Sequence, residues 1–316
     1  MRKNLLIASI IFLAIISTIT VLYQSKTEKE SKIPREGTKE EAGPDKEEEL
    51  IQNKKIDGSN WQWVNNQKKL YQLSSVEINS ILKELQKRFL NKDEKLKALS
   101  ILRLGTPYQF GCLGEESGRD KDPLFRLDLT DCTGFVLTNV ALLHAENLTE
   151  AREMMRSLNY RLKENEEEYK TSFENRLHFT ADRNMTSLYF QDVTEQIAGF
   201  DKIKEKKVIL NKIKPDGERL IDIVWEKEII IKYIPNEYIT KELLSSLPKA
   251  VGIAFIKEGD EEIGLDVRHE GFLFSSEFLL HATSAQGEVM TVDFFKYYFD
   301  KEGDPKFNGI ILFDVR

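Results

Sequence analysis

Leu129-Thr130-Asp131-Cys132-Thr133-Gly134-Phe135-Val136 is the stretch on which the reading of this chain turns. From Cys132 onward, Phe135, Val136, Val140 and Leu143 recur at helical spacing, which predicts an amphipathic helix with Thr130 or Asp131 as its N-cap and Cys132 in its first turn. A thiol there faces unpaired backbone N–H groups and the positive end of the helix dipole, both of which favour thiolate. The competing reading is a small buried hydrophobe that opens a helix, because free cysteine is among the most buried residue types. The surroundings of the stretch decide between the two.

Downstream runs Asp266-Val267-Arg268-His269-Glu270-Gly271-Phe272-Leu273-Phe274, a polar break at Ser275-Ser276-Glu277, and Phe278-Leu279-Leu280-His281-Ala282-Thr283. This is a hairpin signature. Centring the turn on Ser275 sets His269 opposite His281 on one face, with Cβ atoms about 5 Å apart, whereas a one-residue slip would separate them. Two histidines so placed form a relay: His269 takes a thiol proton and His281 holds its other ring nitrogen, fixing the tautomer. A zinc site from His269, His281 and Cys132 is a third reading, weakened by the absence of close ligand spacing and of an evident fourth partner.

Upstream, Gly105-Thr106-Pro107-Tyr108-Gln109-Phe110-Gly111 is a Gly- and Pro-bounded turn, and Cys112 follows it with no helix start of its own. Cys112 is therefore the weaker nucleophile candidate, and a Cys112–Cys132 disulfide stays open in an oxidising compartment. Ser74-Ser75-Val76-Glu77 reads as a capping box opening a helix with Ile78, Ile81, Leu82, Leu85 and Phe89 on one face, and a second helix runs from about Asp93 to Leu104. Thr149 to Lys170 is charged with helical period. Asn175-Arg176-Leu177-His178-Phe179 places an arginine and a histidine on the same side of an extended segment. His144 reads as a dipole partner at its helix C-terminus. Between residues 207 and 256, the runs Val208-Ile209-Leu210, Ile221-Asp222-Ile223-Val224, Ile229-Ile230-Ile231 and Val251-Gly252-Ile253-Ala254-Phe255 are strand-like, and several are expected in one antiparallel sheet.

The 316 residues, 41% of them hydrophobic, suffice for a sizeable core. A net charge of −7 argues against a nucleic-acid partner, and two cysteines exclude a disulfide scaffold or a cysteine-only zinc site. Leu5 to Tyr23 is a charge-free apolar run preceded by Arg2 and Lys3; as a helix it spans about 28 Å, enough to cross a bilayer. Its exit, Thr18-Ile19-Thr20-Val21-Leu22-Tyr23, offers no convincing cleavage site, so an uncleaved anchor is favoured over a cleaved signal. The expected organisation is an anchor or signal at 1–24, a disordered charged linker at 25–57 and a folded domain at 58–316.

Pro107-Tyr108 with Gly111, then Asp131-Cys132-Thr133-Gly134-Phe135-Val136, then His269-Glu270-Gly271, then His281 resemble the ordered signature of the NlpC-type papain-like cell-wall cysteine peptidases and amidases. Asn175 to Phe179, Tyr233-Ile234-Pro235, Gly264-Leu265-Asp266 and Leu279 to Ser284 narrow the resemblance to the N-acetylmuramoyl-L-alanine amidase-like branch, over about Ala98 to Arg316. The resemblance implies an α+β, papain-like (NlpC-type) fold, with the nucleophile helix packed on an antiparallel β-sheet. It implies peptidoglycan or muropeptides as substrate, no cofactor and no metal. Cys132 would be the nucleophile, His269 the base and His281 the orienting third residue. Tyr108, Asp131 and Thr133 would line the cleft, with Arg176 and His178 adding branch-specific contacts. Gly134, Leu137, Asn175 and Phe179 depart from the branch pattern, at positions that bear on substrate choice. The rival readings are an endopeptidase of the same superfamily cutting a stem-peptide bond and an inert, anchored peptidoglycan-binding module. The expected location is the cell envelope, with the domain outside the cytoplasm and held by residues 5–23 if uncleaved, or secreted if cleaved.

Overall fold

A computed structural model describes residues 58–162, 167–274 and 277–316. The expected apolar segment at 5–23, the linker at 25–57 and the Ser275-Ser276 turn lie outside the described residues. Among those described, no helix is long and apolar enough to cross a membrane.

The helices are α1 (Ser59–Asn65), α2 (Ser75–Arg88), α3 (Lys92–Leu102), α4 (Cys132–Leu143), α5 (Leu148–Asn159), α6 (Thr180–Thr186), α7 (Thr194–Ala198), α8 (Lys241–Ser245) and α9 (Phe294–Tyr298). The α2 capping box forms as its sequence implies: the Glu77 N–H donates to Ser74 Oγ while the Ser74 N–H donates to Glu77 Oε2 at 2.8 Å. Asn91 caps α3, accepting from the N–H groups of Asp93 and Glu94. α5 ends at Asn159, well short of Lys170.

One expectation about α4 needs correction. Every residue from Gly134 to Leu143 is buried, so the helix is apolar all round rather than amphipathic; α3, α5 and the sheet enclose it. Phe135 meets Phe272 of the sheet with ring centroids 6.0 Å apart.

The strands are β1 (Phe190–Asp192), β2 (Lys204–Leu210), β3 (Lys227–Pro235), β4 (Ala250–Ile256), β5 (His269–Phe274), β6 (Phe278–Thr283), β7 (Glu288–Asp293) and β8 (Gly309–Val315). They form an antiparallel sheet in the order β2-β3-β8-β4-β5-β6-β7, with β1 also pairing β8. Expected strand Ile221-Asp222-Ile223-Val224 is irregular instead. Buried Asn211 takes its backbone groups, with Nδ2 donating to the carbonyls of Ile223 and Trp225 at 3.1 Å and Oδ1 accepting from the Ile221 N–H at 2.8 Å. Those groups are then satisfied without a neighbouring strand.

The sheet is buried on both faces. Phe272, Phe274, Leu280 and Phe313 pack towards the helical layer with Phe135 and Val140, whereas Phe255, Leu273, Leu279 and Leu312 join Phe294 and Tyr298 of α9 on the other side. The β5–β6 hairpin forms, but its register is shifted from the expected one: Phe272 pairs Leu280, Leu273 pairs Leu279 and Phe274 pairs Phe278. Continuing this register places Gly271, not His269, across from His281. A shift of two residues keeps both histidines on one face and makes them diagonal neighbours.

Candidate active site

The diagonal histidine pair is permitted by Gly271. A Cβ there would lie 2.7 Å from the Leu280 carbonyl oxygen and 2.9 Å from the His281 Cβ, so only glycine lets the two strands approach this closely. With the space clear, His269 Nε2 meets His281 Nδ1 at 2.7 Å. The Phe255 ring, from the residue paired with His269 in β4, stacks on His269 at 5.7 Å. Tyr297 of α9 lies 5.9 Å from His269 and 4.6 Å from His281.

Cys132 approaches the strand that carries this pair from the helical layer. Asp131 caps α4, its Oδ1 accepting from the Gly134 N–H at 2.7 Å while Oδ2 accepts from the Gly111 N–H at 2.9 Å. The turn at 105–111 is thereby tied to the helix start, helped by Thr130 N–H donating to the Pro107 carbonyl and Gln109 N–H to the Thr130 carbonyl. The Cys132 sulfur sits against its neighbour's N–H, Thr133, and against the N–H of Glu270, the amide that immediately follows His269. The start of α4 and the histidine strand thus meet at the first peptide of β5.

Across that peptide, the Glu270 side chain faces the helical layer and is buried. Its Oε1 accepts from Thr133 Oγ1 at 2.8 Å and Thr180 Oγ1 at 3.1 Å, and Arg183 Nη2 donates to Oε2 at 2.6 Å. Both partners of the ion pair are 1% exposed. One carboxylate therefore ties α4, α6 and β5 together beside Cys132.

Electrostatics correct the expectation of a thiolate. Burial, reinforced by the charges of Asp131 and Glu270, pushes the Cys132 thiol up to about 12, against the opposing pull of the two backbone N–H groups. Burial brings His269 down to about 4, with Glu270 opposing, and burial plus the neighbouring His269 bring His281 down to about 3. At neutral pH the site rests as a neutral thiol beside neutral imidazoles. Burial, then the charges of Cys132 and Asp131, also push the Tyr108 hydroxyl up to about 12, keeping it a donor.

The other expected residues divide. Tyr108, Asp131 and Thr133 gather around Cys132. Arg176 bonds to the loop that follows Cys112, and His178 bonds within its own segment. Arg176 donates to Glu115 Oε1 at 2.6 Å, to Asp120 Oδ2 at 2.8 Å and to the Leu113 carbonyl, and its guanidinium lies over Phe173. His178 Nε2 contacts the Phe173 carbonyl at 2.7 Å, and burial brings its pKa to about 4. Cys112 is buried and free, as is the half-buried Cys132, and burial pushes the Cys112 thiol up to about 11. Among the described residues no cluster of three or more His, Cys, Asp or Glu is placed to hold a metal ion.

Sequence reasoning passed over Arg183, Thr180, Phe255 and Tyr297. Only Glu270 carried a signal: a lone charge in a strand of buried neighbours demands a buried partner.

The fold has known counterparts. A Legionella pneumophila protein of the DUF1460 family shares 24% identity, with 77% of this chain and 97% of that one aligned at a TM-score of 0.61. An N-acetylmuramoyl-L-alanine amidase from Bacteroides uniformis shares 19% identity over 71% of this chain and 99% of its own, at a TM-score of 0.55. At those identities the likeness is one of fold. None of the curated proteins matches the sequence. Residues 98–304, more than half of the chain, match a family defined by sequence, and the chain belongs to it: the N-acetylmuramoyl-L-alanine amidase-like (AmiA-like) family.

Proposed function

We propose that this protein is a cysteine-dependent peptidoglycan amidase with a papain-like (NlpC-type) site, cutting the amide between the lactyl group of muramic acid and L-alanine in peptidoglycan or its muropeptides. The observation that carries the reading is the Cys132 sulfur resting on the amide that follows His269, while His269 is bonded through Nε2 to His281 at 2.7 Å. His269 Nδ1 is then the nitrogen left for the thiol.

In this mechanism the neutral thiol gives its proton to His269 as sulfur attacks the lactyl carbonyl carbon, so thiolate forms only with the attack. We assign the Cys132 backbone N–H at the helix start and the Tyr108 hydroxyl as donors to the developing oxyanion, where losing one such donor typically costs about 3 kcal/mol. Protonated His269 passes its proton to the departing amine of L-alanine. Water, deprotonated by the same imidazole, then hydrolyses the thioester.

An endopeptidase acting next to a free amino terminus would draw on nearby acidic side chains, Asp128 and Asp131, to attract that amine. Asp128 is paired with Arg126 at 2.7 Å, which leaves it less able to draw a substrate cation and favours an amide without one. We place the domain in the cell envelope, outside the cytoplasm, with residues 5–23 as its anchor. The test is digestion of purified muropeptides by the full chain beside Cys132→Ala, with products read by mass spectrometry. Intact stem peptide from wild type alone supports the amidase; shorter peptides move the cut to an endopeptidase bond, and no product from either protein favours the inert binding module.

A further inference from the structure

We propose that Tyr297 is a positioning residue of this site: its ring face accepts the Nε2–H of His281 and thereby selects the tautomer in which His269 can act as a base. The inference rests on the Cys132–His269–His281 reading.

The argument is one of proton placement. For His269 to take a proton at Nδ1, that nitrogen must be bare, so the His269 proton sits on Nε2 and is donated to His281 Nδ1 across the 2.7 Å contact. His281 must then carry its own proton on Nε2. That atom is buried and has no hydrogen-bond partner among the described residues. A buried N–H without an acceptor is costly, which on its own would favour the opposite tautomer. In that opposite form His281 Nδ1–H donates to His269, His269 Nδ1 is protonated and the base is lost.

Tyr297 discriminates between the two. Its ring centroid lies 4.6 Å from that of His281 with the planes at 75°, the perpendicular arrangement in which the edge of one ring meets the π face of the other. A π face attracts an N–H and repels a bare nitrogen lone pair. Tyr297 therefore stabilises Nε2–H on His281 and penalises its absence. The ring is held there by Phe255 at 5.5 Å and Phe307 at 5.9 Å, and the Lys306 ammonium lies 5.7 Å from its centroid. The charged and titratable groups around the pair are Cys132 from α4, Glu270 from β5 and Lys306 near the ring, none of which reaches His281 Nε2 as an acceptor.

The experiment compares the full chain, Tyr297→Phe and Tyr297→Leu by ¹⁵N-histidine NMR, tractable because the sequence has only four histidines, together with muropeptide kinetics. In wild type and Tyr297→Phe, His281 is expected as a single Nε2–H tautomer with kcat/KM equal within about twofold, since the ring and not the hydroxyl acts. In Tyr297→Leu, His281 should populate both tautomers, and kcat should fall at least about fivefold, the scale of one weak hydrogen bond, with KM little changed. If Tyr297→Leu does not fold, pentafluorophenylalanine at 297 keeps the ring shape, inverts its quadrupole and should give the same loss. An unchanged tautomer in Tyr297→Leu or in the fluorinated protein overturns the proposal, as does an equal loss in Tyr297→Phe. The tautomer readout needs no turnover, so a failure of the amidase reading would appear separately, as the wrong product or none.

Discussion

On one face of β5, Glu270 is charged, buried and saturated: Thr133, Thr180 and Arg183 all donate to it. On the other face, one residue earlier, His269 is neutral, bonded to a second neutral histidine and walled by the aromatic rings of Phe255 and Tyr297. The first arrangement fixes where the start of α4 stands, because Thr133 is the residue after Cys132. The second holds two imidazoles that burial keeps uncharged at neutral pH. An ionic network and a neutral histidine pair are separated by a single peptide, and Cys132 rests on the N–H of that peptide.

The sharpest way to break the contrast is to unpair the ionic face. Arg183→Met leaves a buried carboxylate without its partner and should cost about 3–5 kcal/mol in urea unfolding. Glu270→Gln with Arg183→Met should cost less than the two single changes summed. Removing the Glu270 charge also removes one of the groups that raise the Cys132 thiol, so in Glu270→Gln the rise of iodoacetamide alkylation with pH should move to lower pH.

The neutral face should show itself in the pH dependence of stability. His178, His269 and His281 have folded values near 4, 4 and 3 against 6.5 for the free side chain, so the unfolded chain binds more protons across that window. The stabilisation is complete above about pH 6.5 and is lost as pH falls through about 4 to 3. Cys132 acts in the opposite sense, with stability present below pH 9 and declining as pH rises towards about 12. Urea midpoints at pH 7.5, 4.5 and 10 check both limbs.

A smaller effect on stability, with a large one on rate, is expected at Gly271. Gly271→Val should cost about 1–3 kcal/mol by forcing β5 from β6 and, by displacing His281 from His269, should lower kcat about 10²-fold while the protein stays folded. Smallest of all, Lys204→Ala removes an exposed, solvent-screened ion pair with Glu237 at 2.7 Å and should leave both the urea midpoint and the activity unchanged.

Much of this site is legible in the sequence where local rules hold. The Asp131 cap, the α4 start at Cys132 and the alternation of the hairpin all follow from short-range pattern, and they bring Cys132 to the histidine strand. The burial of α4 on every side is not legible, because its neighbours come from α3, α5 and the sheet. The two-residue register shift escaped because apolar alternation fixes which face a residue takes but not which of several same-face partners it meets. Arg176 and His178 look functional on an extended segment, yet their partners Glu115, Asp120 and Phe173 are set by a fold that spacing does not reveal. Ile221 to Val224 read as a strand until Asn211 is seen to take its backbone groups. The thiol's own state escapes local rules for the same reason: a helix start favours thiolate, but burial and two carboxylates outweigh it.

The central claim is that Cys132 attacks the lactyl carbonyl, and capture of the acyl-enzyme tests it most directly. The full chain, mixed with a purified muropeptide and quenched in acid, would be weighed intact and mapped by peptide mass spectrometry. The account predicts a hydroxylamine-labile adduct on Cys132 whose mass is that of the muramoyl portion without the stem peptide, absent from Cys132→Ala. Cleavage of the muropeptide by Cys132→Ala at the wild-type rate would contradict it.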